Sequence, residues 1–305
     1  MDLSGLLTTF ANNLLPILLV SGAGFLLGKT LDLDSRTLGR VVFYVFSPIL
    51  VFDLLLHTQL SSREILTTML FAVGVAFLVG LIAFLAGRVL HLERLVLMAL
   101  IITAAFGNTG NYGLPLVSFA FGQDALAFAT VNFVTSVILF NTAGVFIASL
   151  GKMNLKTASL GIFRVPAVYA VILAAALNRF QVTLPVPLDR TIALAANGSI
   201  PLMLVLLGLE LSKVRWEHGL PAVGLSAGLR LLGGAAAGFL LAAMLGFKGA
   251  MWQGNVIESA MPAAVTTTVL ATEYGLDTSL VTAMVFLGTI LSPLTLTPLL
   301  LFLSK

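Results

Sequence analysis

Gly107-Asn108-Thr109-Gly110-Asn111-Tyr112-Gly113-Leu114-Pro115 lies inside a stretch, 94–121, that is otherwise apolar enough to cross a membrane. It sets three glycines, two asparagines, a threonine and a proline where a lipid-facing segment needs an unbroken helix. In hydrocarbon every backbone N–H and C=O must be hydrogen-bonded, so irregular backbone survives only inside protein or beside a water-filled cavity. A broken helix at mid-membrane therefore points to a binding site.

The rest of the composition agrees with a membrane setting. Hydrophobic residues make up 59% of the chain and charged residues 10%, with a mean hydropathy of +1.07. Soluble domains carry about 25% charged residues, so this chain cannot cover a water-facing surface. The absence of cysteine excludes disulfides, thiolate metal sites and cysteine nucleophiles. The three histidines are scattered and form no metal-ligand spacing. The net charge of +3 is assigned to loops at the membrane surface, and no nucleic-acid partner is expected. No basic stretch precedes the first apolar run, so no cleaved signal peptide is expected.

A membrane-spanning helix needs about 20 mostly apolar residues. Charged and turn-rich breaks divide the chain into ten such spans, roughly 5–28, 37–57, 65–87, 94–121, 125–150, 160–179, 188–211, 219–246, 250–274 and 278–303. The longest connection falls near 151–159. Lysine and arginine concentrate in the loops after the odd-numbered spans, ten against five, with Arg230 left inside span 8. The positive-inside rule then places those loops in the cytoplasm and both termini outside.

The two halves carry matching landmarks. Pro16 pairs with Pro166, Ser47-Pro48 with Ser199-Ile200-Pro201, Pro115 with Pro262, and Phe121-Gly122-Gln123-Asp124 with Tyr274-Gly275-Leu276-Asp277. All four separations lie near half the chain length. A five-span unit crosses an odd number of times, so its second copy enters from the opposite side. The expected fold is all-α: two inverted five-helix repeats, 1–153 and 154–305, with helices 4 and 9 broken and crossing at mid-membrane.

Candidate site residues follow from these breaks. Asn108, Thr109, Asn111 and Tyr112 offer polar groups at the first break, beside Pro115, which cannot donate to the helix ladder. Pro262 marks the second break, followed by Thr266, Thr267 and Thr268. Half-helix N-termini favour an anion, and freed carbonyls favour a cation or a proton carrier. Glu258, one turn before Pro262, is the candidate group for a coupling proton or sodium ion, since an ionisable side chain inside a span is costly. Arg230, near the middle of span 8, is read either as a lure for an anionic substrate or as a partner of Glu258. Asn132, Ser136 and Asn141 lie broadly along one face of span 5, as a pathway lining or as interhelical glue. Asp53 and Glu210 lie near span ends and are read as interfacial or structural, and Asp124 and Asp277 as helix caps. No nucleotide-binding loop or nucleophile elbow occurs, so neither hydrolysis nor other enzymatic activity is expected.

The motif 107–116 followed by Phe121-Gly122 resembles the auxin efflux carrier family in its short prokaryotic form. Glu258-Ser259-Ala260-Met261-Pro262-Ala263-Ala264-Val265, followed by Glu273-Tyr274-Gly275-Leu276-Asp277, resembles that family's second crossover. The resemblance implies membership of the bile-acid/sodium symporter-like superfamily of elevator transporters. It implies a scaffold from helices 1, 2, 6 and 7 (about 5–57 and 160–211) that forms a homodimer. It also implies a transport domain from helices 3–5 and 8–10 (about 65–150 and 219–303). Plant members export auxin, a carboxylate, and bacterial relatives are associated with dicarboxylates such as malonate. Asn108, Asn111, Pro115 and Pro262 carry over as site residues, whereas the role of Glu258 rests on the physical argument alone.

The expected protein is a multi-pass carrier of a small organic anion, a carboxylate by preference, in a prokaryotic cytoplasmic membrane. It works by alternating access at the crossover of helices 4 and 9 and needs no cofactor beyond a coupling proton or sodium ion. The competing readings are a sodium/proton exchanger or sodium-coupled symporter of related fold and a membrane receptor that transports nothing.

Overall fold

The computed structural model describes residues 3–31, 33–58, 60–149, 163, 165–213 and 220–304. Its helices are α1 (Leu3–Thr30), α2 (Ser35–His57), α3 (Ser62–Val89), α4 (Arg94–Ala105), α5 (Thr109–Ala148), α6 (Pro166–Arg179), α7 (Val186–Ser212), α8 (Pro221–Met244), α9 (Gly249–Ser259), α10 (Thr266–Tyr274) and α11 (Thr278–Leu303). Seven of them, α1, α2, α3, α5, α7, α8 and α11, are long and apolar enough to cross a membrane. Among the described residues there is no strand, only one isolated backbone bridge. The protein is therefore all-helical, with the composition of an integral membrane protein.

The two spans expected to be broken, 94–121 and 250–274, are each interrupted. The stretch 94–121 is not one helix: α4 ends at Ala105 and helix resumes at Thr109. From there α5 runs on to Ala148, with Gly122 as its dividing point. Gly122 has φ +73 and ψ −163, a conformation open essentially to glycine alone. It separates two helical segments where a short loop was expected. The stretch 250–274 likewise divides into α9 and α10 around non-helical residues 260–265. The expected long loop at 151–159, its lysines Lys152 and Lys156, and Arg164 and Arg215 lie outside the described residues.

Local chemistry explains the starts and the irregular turns. Asp34 caps α2 through the amides of Arg36 and Thr37, and hydrogen bonds from Thr37 and Arg36 hold its carboxyl below the usual range. Ser61 and Glu64 form a reciprocal capping box on α3. Asp277 accepts from the amide of Leu280 as a cap of α11, whereas Asp124 falls within the helix resumed after Gly122. Three widened (π) turns, Phe10–Leu14, Val42–Phe46 and Thr109–Gly113, each end just ahead of Pro16, Pro48 or Pro115. Proline lacks an N–H and crowds the carbonyl four residues back, so the ladder slips by one residue at each place.

Packing gathers the helices into two neighbourhoods. In the first, α7 lies along α1 and α2, and α6 lies on α2. Small residues let α1 and α7 approach closely: the Cα of Gly208 lies against the Ser21 carbonyl, and Gly24 faces the backbone of Val205. Asn178 on α6 donates to the carbonyls of Leu55 and Thr58, and Ser199 on α7 donates to that of Phe46. In the second, α3 packs on α4 and α5, α5 on α9, and α8 on α3, α9 and α11. There Thr103 of α4 meets Ser226 of α8 at 2.8 Å and Met284 Sδ of α11 at 3.4 Å.

Gly208→Ala tests the α1–α7 contact, because the added Cβ would strike the Ser21 carbonyl. It should destabilise the protein by about 1–3 kcal/mol, as overpacking does. Gly198→Ala on the same helix, whose Cβ would meet Phe46 at an ordinary 3.5 Å, should leave the melting temperature in detergent unchanged or raised. Equal melting temperatures for both variants would contradict this packing.

Candidate functional site

The two broken stretches lie side by side. Beyond α4 the chain extends through Phe106, Gly107 and Asn108, and beyond α9 it extends through residues 260–265. The amide of Asn108 donates to the Pro262 carbonyl at 2.7 Å, and that of Ala264 donates to the Phe106 carbonyl at 2.9 Å. Gly107 and Ala263 form an antiparallel bridge between these bonds. Each break thus satisfies part of the other's exposed backbone, as a buried irregular segment requires.

Arg230 satisfies much of the remainder. It projects from the widened turn Leu229–Gly233 of α8 and is 2% exposed. Its Nε donates to the Met261 carbonyl at 2.7 Å and its Nη2 to the Ser259 carbonyl at 2.6 Å. Its Nη1 donates to the carbonyls of Ala104 and Ala105, at 3.1 and 3.4 Å. One guanidinium therefore caps the C-terminal ends of both α4 and α9. Each helix end carries roughly half a negative charge, so together they match a single cation. Of the two readings of Arg230, lure or ion-pair partner, the structure shows neither: its donors go to backbone carbonyls, and it makes no direct ion pair among the described residues.

Glu258 occupies the last turn of α9 and is 1% exposed. Neither carboxyl oxygen has a hydrogen-bond partner among the described residues. Its carboxyl lies against the Cα of Gly113, in the first turn of α5. Asn108, 5% exposed, also has a buried side-chain amide nitrogen without a partner. The motif's three glycines are sites of close approach: a Cβ on Gly107 would lie 2.8 Å from Arg230 Nη2, one on Gly110 would lie 2.7 Å from the Phe133 ring, and one on Gly113 would strike Glu258.

The other expected residues divide between this site and its surroundings. Thr109 is buried at the start of α5, and Pro115 follows directly on the widened turn Thr109–Gly113 that accommodates its missing N–H. Asn111 is partly buried in the widened turn Thr109–Gly113, which packs against α7. Tyr112 is core: it is 1% exposed, and its hydroxyl accepts from Ser292 at 3.2 Å. Pro262 is in the extended break, while Thr266 begins α10 exposed and its neighbour Thr267 is buried. Asn132 and Ser136 belong to a second polar cluster. Asn132 donates to Asn255 of α9 at 2.9 Å, Asn255 donates to Thr68 of α3 at 3.4 Å, and Ser136 donates to Asn132 at 3.4 Å. Asn141 donates to the Val137 carbonyl of its own helix. Asp53 sits beside His57, which also contacts Asp189 at the start of α7.

Sequence reading missed two residues here. Glu210 was set aside because it lies near a span end, yet its helix α7 packs on the motif turn Thr109–Gly113 and its Oε2 is buried without a partner among the described residues. Asn255 drew no attention, though it lies one turn before Glu258 and so on the same face of α9.

A helical membrane protein with two paired helix breaks around buried, partnerless polar groups has the build of a membrane transport protein, and the sequence comparisons agree. The family profile described as membrane transport protein matches residues 9–159 and 150–300. The chain belongs to this family, the auxin efflux carrier family, as a short prokaryotic member. It is 30% identical over 269 residues to an uncharacterized transporter of Methanothermobacter thermautotrophicus, covering 87% of this chain and 88% of the relative. It is 26% identical over 292 residues to a putative malonate transporter of Rhizobium meliloti, covering 91% and 90%. A probable auxin efflux carrier component 5b of Oryza sativa subsp. japonica is 30% identical over 141 residues, 44% of this chain and 38% of the plant protein.

Replacing Arg230 separates a backbone clamp from a substrate ligand. Arg230→Gln leaves buried carbonyls of two helix ends without donors and should lower stability by about 3–5 kcal/mol, seen as a large drop in melting temperature without any ligand. Arg230→Lys should rescue little, because one ammonium cannot reproduce the planar fork. A glutamine variant with the native melting temperature would contradict the clamp.

Proposed function

We propose that this protein is a secondary carrier of a small organic anion, a carboxylate by preference, and that the paired breaks are its binding site. The supporting observation is a pair of partnerless groups in a buried site: the Asn108 amide, a donor, and the Glu258 carboxyl, an acceptor. A buried polar group without a partner costs about 1–3 kcal/mol, and more if charged. Folding tolerates such a cost where a ligand removes it. The amides of Asn108 and Asn111 and the N-terminal turn of α5 suit a carboxylate, and the Glu258 carboxyl suits a proton or a sodium ion. The relative named as a putative malonate transporter is consistent with the carboxylate.

In this reading the chain forms two inverted five-helix repeats, and the breaks cross near the bilayer midplane. Helices α1, α2, α6 and α7 are the static scaffold, through which two copies associate. The second packing neighbourhood moves as the transport unit in an elevator step, with Arg230 holding both broken helices to α8 so that the site travels whole. The odd-numbered loops face the cytoplasm and both termini lie outside. Glu258 changes its charge state between the two faces and so couples the anion to the ion gradient.

Radiolabelled malonate flux into proteoliposomes, with sodium and proton gradients imposed separately, tests this. Wild-type protein should accumulate malonate under one of the gradients, and Asn111→Ala should slow flux about tenfold or more while its melting temperature stays near native. Glu258→Gln should abolish the response to the gradient and retain malonate exchange. Flux of neither malonate nor other short carboxylates by wild type would overturn the carrier reading. Full gradient-driven flux by the glutamine variant would remove Glu258 from coupling.

A further inference from the structure

The residues at the paired breaks fix the charge that a ligand meets there. Arg230 brings one positive charge, and all three of its guanidinium nitrogens donate to carbonyls: Nε to Met261, Nη1 to Ala104 and Ala105, and Nη2 to Ser259. Those carbonyls end α4 and α9, and each helix end carries roughly half a negative charge. The guanidinium and the two helix ends therefore cancel. What remains is the N-terminal turn of α5, with roughly half a positive charge, and the carboxyl of Glu258.

Glu258 and Asn108 meet at that turn. The Asn108 carbonyl accepts from the amide of Gly113 at 3.0 Å, and a Cβ on Gly113 would strike both oxygens of Glu258. The two side chains are 1% and 5% exposed. Both Glu258 oxygens and the Asn108 side-chain nitrogen lack a hydrogen-bond partner among the described residues. The Cα of Gly113 offers an ionised carboxylate no N–H or O–H donor, and it offers a metal cation no oxygen ligand, whereas hard cations need several. A proton needs none. The motif turn, α3, α5, α8 and α11 pack against α9, and of their charged groups among the described residues Arg230 is the one whose charge acts on Glu258. With Glu258 ionised, the site is negative before any anion arrives. With Glu258 protonated, the α5 turn and the Asn108 amide are left to meet one carboxylate. A second carboxylate charge finds nothing to match it, and like charges repel strongly where water is excluded.

We propose that the site takes its substrate in a singly charged form, together with one proton on Glu258, and rejects the dianion. The proposal rests on the carrier reading above and deepens it, by naming the charge state of the substrate and the number of protons bound with it. A dicarboxylate such as malonate then binds as its hydrogen monoanion. One solvent proton goes to Glu258 and, for a dianion, a second goes to the ligand's own carboxylate.

The test is titration calorimetry on the purified full-length protein with two ligands: malonate, and malonamate, in which an amide of the same shape replaces one carboxylate. Repeating each titration in buffers of different ionisation heat counts the protons taken up. At neutral pH malonamate should bind roughly tenfold more tightly than malonate, because its single charge escapes the repulsion. Toward alkaline pH its affinity should fall by up to about tenfold per pH unit, with uptake rising to one proton per molecule, since the empty site loses a proton that the filled site keeps. Malonate should take up one proton more than malonamate. Glu258→Gln keeps the shape and stays neutral, so it should remove one proton from each count and make malonamate binding independent of pH. Melting temperatures without ligand identify a glutamine variant that fails to fold, and the wild-type titrations then decide alone. Malonate bound as tightly as malonamate with no proton uptake would overturn the proposal while the carrier reading stands. So would malonamate binding that requires sodium, that never weakens toward alkaline pH, or that weakens equally in the glutamine variant. If wild type binds neither these ligands nor another short mono- or dicarboxylate, the carrier reading fails and this proposal with it.

Discussion

The structure depends on one rule: a backbone polar group buried in an apolar protein must find a partner within that protein. Two interrupted helices expose many such groups at once. The breaks bond each other through Asn108 with Pro262 and Ala264 with Phe106, and Arg230 takes the carbonyls that remain at the ends of α4 and α9. The other features of the site follow from this. Gly107 is small because the guanidinium lies against it, and Gly113 because the carboxyl of Glu258 does. Arg230 is held by carbonyls and so not spent on an ion pair. Glu258 is thereby left with a nearby positive charge but no direct bond.

This division of labour bears on mechanism. A cation that bonds four carbonyls of two helix ends is a structural clamp, and it makes α4, α8 and α9 one unit. In the carrier reading proposed above, the anion would meet amide donors and helix N-terminal N–H groups instead of a bare guanidinium. Binding through neutral donors is reversible in a way that a buried bidentate arginine pair is not. A carrier has to release its substrate on the far side, so weak, directional donors suit it better than a strong charge.

Much of this was legible in the sequence, and the misses have physical causes. Glycine, asparagine and proline inside an apolar run announce a break, and Gly107 to Pro115 lie where the helix is interrupted and restarted. Glu258 was legible because carboxylates are rare in such segments. The match of Pro115 with Pro262 was misleading: Pro115 lies in a helical turn, Pro262 in extended chain, and the residue that meets Gly107 is Ala263. Proline marks both the restart of a helix and the gap before it, so two prolines need not mark the same place. Arg230 could not be assigned because its partners are backbone carbonyls, which every sequence supplies everywhere. Glu210 was passed over because distance along a span says nothing of what lies opposite. The cluster of Asn132, Asn255 and Thr68 was half visible, since its members come from three helices.

The claim most exposed to refutation is that an anion binds between the paired breaks while Arg230 stays on the backbone. A cryo-electron microscopy map of the protein in lipid nanodiscs with saturating malonate addresses it directly. The account predicts density for the anion against the side chains of Asn108 and Asn111, with the Arg230 guanidinium still on the carbonyls of Ala104, Ser259 and Met261. Density at another place in the fold with the breaks unoccupied, or an Arg230 side chain turned away from those carbonyls to hold the anion, would contradict it.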